Sequence, residues 1–173
     1  MAHHVPVAAH TEERRIPAHR LGEKDMLWAW LRFARGTVVA KATGLSGAQL
    51  RSRLVPSATS LGGVLTHLVT VEHHWFGNVL GGREHPMPFG ADDPDGDWRI
   101  TEADDPDSLL RRYRAACDAS DEVIGSLALD SMGAQTADDY TLRWAMVHVT
   151  MDTSRHAGHA DVLRELLDGA RGW

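Results

Sequence analysis

Residues 142–167 read as one long helix whose apolar face is broken along its middle by a carboxylate and three imidazoles. No other feature limits the fold as much. At about 100° per residue, His148, His156 and His159 fall within about 40° of Asp152, on a face shared with Ala145 and Leu163. Trp144, Val149, Val162, Leu166 and Leu167 continue that side, whereas Thr150, Ser154, Asp161, Arg164, Glu165 and Asp168 collect opposite. A helix patterned this way turns its first side towards other helices. The carboxylate of Asp152 then leaves water, which costs several kcal/mol unless something pairs with it.

A divalent cation is one such partner. Asp152 and His156 stand at i and i+4, about 5–6 Å apart at the Cβ, the spacing at which two side chains of one helix chelate one ion. The alternative is a hydrogen-bonded network of His148, Asp152 and His156 with Arg155 as counter-charge, a purely structural role that four titratable groups in a row strain. A metal needs a third ligand from another helix, and the segment 60–80 offers His67, His73 and His74. His67 and His74 lie within about 20° of each other and spacing leaves both open; His73 turns further out and reads as solvated. The chain has no His-Glu-x-x-His, no Glu-x-x-His pairs, no Walker loop and no Gly-x-Ser-x-Gly elbow. What remains is one mononuclear site with nitrogen and oxygen ligands.

Three further helices precede the last. Met26, Leu27, Trp30, Leu31, Ala34 and Val38 recur at helical spacing before Gly44, and Ser46–Leu50 reads as a short turn of helix. Ser60 caps a segment carrying Leu61, Val64, Leu65, Leu68, Val71, Trp75 and Val79, closed by Gly81-Gly82. Asp105-Pro106 opens a helix to about Leu127, because Asp accepts from the orphan amides of a first turn and Pro has none to lose. Asp138-Asp139 precede Thr141, the cap of the last helix, which Gly169 closes. Between the second and third helices, residues 83–105 hold three prolines and the acidic run Asp92-Asp93-Pro94-Asp95, with Trp98 as the one large anchor. They read as a long crossover or site-covering loop. With few strand signals and no internal repeat, the pattern predicts an all-α, single-domain four-helix bundle over residues 21–173. Residues 1–20, with His3, His4, His10 and His19 but no apolar period, are expected to form an N-terminal arm.

Composition narrows the function classes. The 173 residues suffice for one core, and a net charge of −6 argues against a binder of nucleic acid or of anionic membrane. The single cysteine, Cys117, can form neither an internal disulfide nor a thiolate cage, and reads as a buried filler. No stretch is long and apolar enough to span a bilayer and the N-terminus lacks a secretory core, so the expected location is cytoplasmic.

The segment from Ser60 to Gly82, with His67-Leu68, Val71-Glu72 and His74-Trp75-Phe76-Gly77, and the run from Arg155 to Glu165 resemble the DinB/YfiT-like superfamily, most nearly its DinB-2 branch, across residues 23–170. The resemblance implies an up-down-down-up bundle with a metal held by one His of the second helix and two residues four apart on the last. Carried over, these are His67, Asp152 and His156. Many members have His-x-x-x-His at the helix-four pair, whereas mycothiol-dependent maleylpyruvate isomerase has an acid followed by His; here the acid is Asp, and the chain is expected to lack that enzyme's second domain, so its substrate is not carried over. Related members are similar to thiol S-transferases that use mycothiol, bacillithiol or glutathione. The implied cofactor is a divalent ion, zinc ahead of nickel, manganese or iron, with an open position where a thiol loses its proton near neutral pH.

On this reading His159 and His148 are candidate catalytic residues, for ligand orientation or proton movement and for support of the metal ligands. Trp75 and Trp98 are candidate walls of the pocket, against core packing for Trp75. Arg155 is a candidate holder of a thiol-cofactor carboxylate, against pairing with Asp152. The expected activity is transfer of a mycothiol-type thiol to a small electrophile; the competing reading is a stress-associated bundle that binds metal or ligand without chemistry. The partners are small molecules, and a homodimer stays open.

Overall fold

A computed structural model describes residues 14–134 and 139–171. His3, His4 and His10 of the predicted arm, and Asp138, lie outside the described residues. Residues 14–20 carry no helix.

The helices begin and end where side chains satisfy the orphan backbone groups of their ends. After α1 (Glu23–Ala42), Gly44 takes φ +80°, and the short α2 (Gly47–Arg51) opens on a capping box in which Ser46 and Gln49 exchange side-chain and backbone bonds. The Ser60 hydroxyl accepts from Gly63 N at 3.1 Å and starts α3 (Leu61–Glu72). Asp105 accepts from Ser108 N at 3.0 Å ahead of Pro106, the first residue of α4 (Pro106–Ser126). Thr141 accepts from Trp144 N at 3.2 Å to start α5 (Leu142–Asp168), and Gly169 ends it at φ +77°. No strand occurs among the described residues, and no helix there is long and apolar enough to cross a membrane.

Cross-helix contacts give the directions. Glu23 pairs with Arg143 and Lys41 with Asp161, each at 2.7 Å, so start meets start and end meets end. Helices α1 and α5 are therefore parallel. Along α3 and α4 the order is also shared: Glu72 lies by Cys117, and Arg83, just past the second helix, reaches Glu122. By contrast, Lys24 donates to Leu127 O at 2.6 Å while Arg35 reaches Asp121, and Trp75 packs on Trp144 while His67 faces Asp152. Pairs α1–α4 and α3–α5 are thus antiparallel, which makes the bundle up-down-down-up.

Two parallel neighbours cannot be joined by a tight turn. The chain must return the length of the second helix, about 30 Å for 20 residues, and residues 81–105 do so with only a 3-10 turn at Gly96–Trp98. The core between the helices is built from Leu31, Val38, Leu65, Leu68, Tyr113, Ile124, Met146 and Val149, all buried. Each contributes about 1.5–3 kcal/mol by leaving water.

The second helical segment ends at Gly81-Gly82 as its spacing predicts, but from His73 to Leu80 it widens into a π-helix, in which Gly81 N donates to Phe76 O at 3.0 Å. The wide turn places Asn78 against the returning chain: its amide donates to His85 O at 2.9 Å and its carbonyl accepts from His85 N at 2.8 Å. Gly77 leaves the room this needs, since a Cβ there would stand 2.7 Å from the His85 ring. His73, expected to be solvated, instead stacks on that ring at 4.1 Å and is half-buried.

Sequence reading also missed a charged group in the core. Arg35 is held by Glu72 through Nε–Oε1 at 2.7 Å and Nη2–Oε2 at 2.6 Å, and by Asp121 through Nη1 at 2.7 Å. Burial works against the Arg35 charge, but the Glu72 and Asp121 carboxylates more than restore it. Cys117 lies partly buried beside this group, 3.9 Å from Glu72, and burial followed by the Glu72 charge pushes its thiol well above the usual range. That fits the filler reading.

Candidate metal centre

Register along the antiparallel pair α3–α5 decides which imidazole meets Asp152. Trp75 packs on Trp144 and His148, so the level of Asp152 and His156 on α5 lies about two turns back along α3, at His67. His74 belongs to the other level, beside Trp75, where burial and the neighbouring His148 lower its pKa. Of the two imidazoles left open by spacing, His67 is the one that faces Asp152.

His67, Asp152 and His156 each offer one ligand atom, and these atoms all lie within 4.8 Å of one another. His67 Nε2 stands 3.7 Å from Asp152 Oδ2, and His156 Nε2 stands 3.5 Å from Asp152 Oδ1. Both separations exceed good N–H···O hydrogen bonds, about 2.7–3.2 Å. Tetrahedral ligands each about 2.0–2.1 Å from zinc stand about 3.3 Å apart, and the two imidazoles face different oxygens of Asp152, so a shared ion would draw the three donors together from their present spread of up to 4.8 Å. Two imidazole nitrogens and a carboxylate oxygen are a donor set suited to zinc and its first-row neighbours. The three residues can therefore hold a divalent ion.

Electrostatics agree with a cation at this focus. Burial acts to raise the pKa of Asp152, but the two facing imidazoles outweigh it and hold the carboxyl far below the usual range. Burial works against a charged His67, and the carboxylates of Asp152 and Asp97 outweigh it, so its pKa rises. A site that attracts a proton this strongly attracts a metal ion for the same reason.

Asp97 was not singled out in the sequence. It sits on the crossover, buried, with Oδ2 2.7 Å from His67 Nδ1. A carboxylate only accepts, so Nδ1 carries a proton, and Nε2 is the nitrogen turned towards Asp152, where a metal ion would displace its proton. The next residue, Trp98, stacks on the His67 ring at 4.3 Å and 13° and meets His156 edge-on at 5.2 Å. Glycines make room for this approach. A Cβ on Gly63 would come within 2.8 Å of Trp98 O, and one on Gly96 within 1.8 Å of Pro88 O.

The other predicted site residues distribute around this core. The exposed His159 has Nδ1 3.4 Å from His156 Nδ1, on the far side of His156 from Asp152. His148 is stacked on Trp144 at 4.7 Å and contacts Trp75, so its ring partners are indoles. Arg155 is 64% exposed, with Nη1 3.7 Å from Asp152 Oδ1. Trp75 is half-buried and lines, with Trp98, His148, His74, Phe89 and Pro94, a cavity of about 360 Å³ that reaches His67 and Asp152.

Among solved structures, the chain is similar to a conserved protein from Enterococcus faecalis. The two share 13% identity over 87% of this chain and 100% of that one, with a TM-score of 0.63. That likeness concerns the fold. No curated protein gives a significant match. The mycothiol-S-transferase family matches residues 26–169, a span that takes in α1 from Met26 onwards, the three other long helices, the crossover and the clustered His67, Asp152 and His156. With that match over most of its length, the chain belongs to the mycothiol-S-transferase family.

Proposed function

We propose that this protein is a metal-dependent S-transferase that joins a mycothiol-type thiol to a small electrophile, with His67, Asp152 and His156 as the protein ligands. The convergence of their three donor atoms within 4.8 Å, in a chain of this family, carries the reading. A divalent ion, zinc before nickel, manganese or iron, would supply the positive charge that keeps a thiol deprotonated near neutral pH. Three protein ligands leave a position open for it.

The chain's own residues do the rest. Asp97 fixes the His67 tautomer and ring plane. Asp152 brings negative charge to the focus, and Trp98 covers one side of His67 from water. His159 stands on the outer side of His156, where its Nδ1, 3.4 Å from His156 Nδ1, helps to orient that ring. Trp75 and His148 line the cavity, while Arg155 stays at the rim, paired with Asp152. The site faces small molecules, and the expected location is the cytoplasm.

The test is elemental analysis of untagged protein together with a thiol-transfer assay. Wild type should hold about one ion per chain, and Asp152→Ala and His156→Ala should lose both ion and transfer while keeping the helical circular dichroism. Metal-free wild type that transfers thiol at full rate would refute the metal dependence. Metal retained with transfer unaffected by either substitution would favour binding without chemistry.

A further inference from the structure

The outward face of α5 carries more exposed apolar surface than a helix of a closed bundle needs. Trp144, Val147, Met151, Val162 and Leu166 are each between 41% and 61% exposed, and at about 100° per residue all fall within about 60° of Met151. They form one row. Trp30 of α1 joins it: Glu23, Trp30 and Lys41 share one side of α1, and the pairs Glu23–Arg143 and Lys41–Asp161 put Trp30 level with Thr150 of α5. The other exposed large apolar side chains among the described residues, Ile16, Leu21, Phe89 and Met132, stand apart outside the helices. Isolated ones are ordinary; a continuous row marks a contact surface.

Two further features say what kind of partner the row fits. Gly158 lies within it, exposed in the middle of a 27-residue helix, where glycine costs stability relative to alanine. A Cβ there would meet nothing within 4 Å, so nothing within this chain asks for the glycine. It leaves a hole. The row is also its own complement when reversed about Ser154 and Arg155. Turned end to end against a copy of itself, Trp144 meets the partner's Leu166, Val147 the partner's Val162, and the large Met151 the partner's Gly158, as knobs meet holes across a two-fold axis. A row serving an unrelated partner has no reason to read alike in both directions.

We propose that this face is a homodimer interface, in which α5 packs antiparallel on the partner's α5 across a two-fold axis beside Ser154. From Trp144 to Leu166 the row runs about 33 Å, and with α1 alongside it is about 20 Å wide. That is roughly 600 Å² on each copy, enough for the roughly 1,000 Å² in total that a lasting interface buries. Charges stay at the edges of the row: Arg155 reaches back to its own Asp152 at 3.7 Å, and Glu165 bonds Arg171 at 2.9 Å. Of the residues that line the cavity at the candidate metal centre, only His148 borders the row, so the contact leaves that cavity open.

Sedimentation equilibrium of the untagged full chain, and disulfide cross-linking in a Cys117→Ala background, test this. Wild type should be dimeric at about 100 µM. Val162→Glu, at an exposed position, should raise the dissociation constant at least about thirtyfold with unchanged circular dichroism. Because Ser154 stands beside the axis, Ser154→Cys should link to its own copy under mild oxidation. Val147→Cys, about 22 Å from its own copy in this register, should link only when mixed with Val162→Cys. A chain that stays monomeric at that concentration leaves the row to some other partner and overturns the inference. So does a dimer that Val162→Glu leaves intact, or one in which Val147→Cys rather than Ser154→Cys links to itself.

Discussion

Arg35 of α1 and Glu72 of α3 meet inside the bundle through two parallel hydrogen bonds, with 5% and 1% of their side chains exposed. Removing one partner leaves the other charge buried alone, which costs about 3–5 kcal/mol. Arg35→Ala or Glu72→Ala should lower stability by that order in chemical denaturation, and the double variant Arg35→Met with Glu72→Leu should recover much of it. A single variant that loses less than about 1 kcal/mol would mean that water reaches the pair.

Asp97 acts on the metal focus only through His67. Asp97→Asn should therefore weaken zinc affinity by about 10–100-fold in competition with a chromophoric chelator, with little change in helical content. Unchanged affinity would show that the ring of His67 is oriented by Trp98 stacking alone.

Protonation of the metal-free site has a definite sign. The pKa of His67 is raised in the folded chain, because the two carboxylates outweigh burial. Its contribution to stability is complete below the ordinary value of about 6.5 and is lost as pH rises through the raised value. Asp152 is lowered, so its contribution is present above the usual carboxylate range and is lost as acid protonates it. His73 and His74 are lowered by burial and act with the opposite sign, so the contribution of His67 is read as a difference: between pH 6 and pH 8 chelated wild type should lose stability relative to chelated His67→Gln, and zinc binding near neutral pH should release a proton measurable by calorimetry in two buffers. A wild-type advantage over His67→Gln that grows from pH 6 to 8 would contradict this.

Gly96 lies under the Pro88 carbonyl with no space for a methyl group. Gly96→Ala must shift the backbone next to Asp97 and Trp98, at a cost of about 1–3 kcal/mol. Faster proteolysis within residues 83–105 and altered indole fluorescence are expected, with the helices intact. Proteolysis at the wild-type rate would show that the turn absorbs the methyl group.

Local rules made most of the helices legible before any coordinates. Ser60, Asp105-Pro106, Thr141 and Gly169 mark ends through bonds made within four residues, and the polar stripe on α5 announced a charged interior. What stayed hidden depends on partners far along the chain. Choosing His67 over His74 needed the register of α3 on α5, and Asp97 reaches His67 across 30 residues from a loop without period. Arg35 and Glu72 are 37 apart, and each looks like an ordinary surface charge to a pattern that counts only apolar positions. The widened turn at His73–Leu80 is likewise invisible to a 3.6-residue template.

Because the two descending rods point the same way, the peptide must climb back outside them, and this obligatory detour is what drapes Asp97 and Trp98 over the ion cradle. The rods carry the three donors and one wall of the cavity, and the strap supplies the opposite wall with Phe89, Pro94, Asp97 and Trp98. Lengthening or rewriting the strap would reshape that wall while the four rods, and the three donors they carry, keep their places.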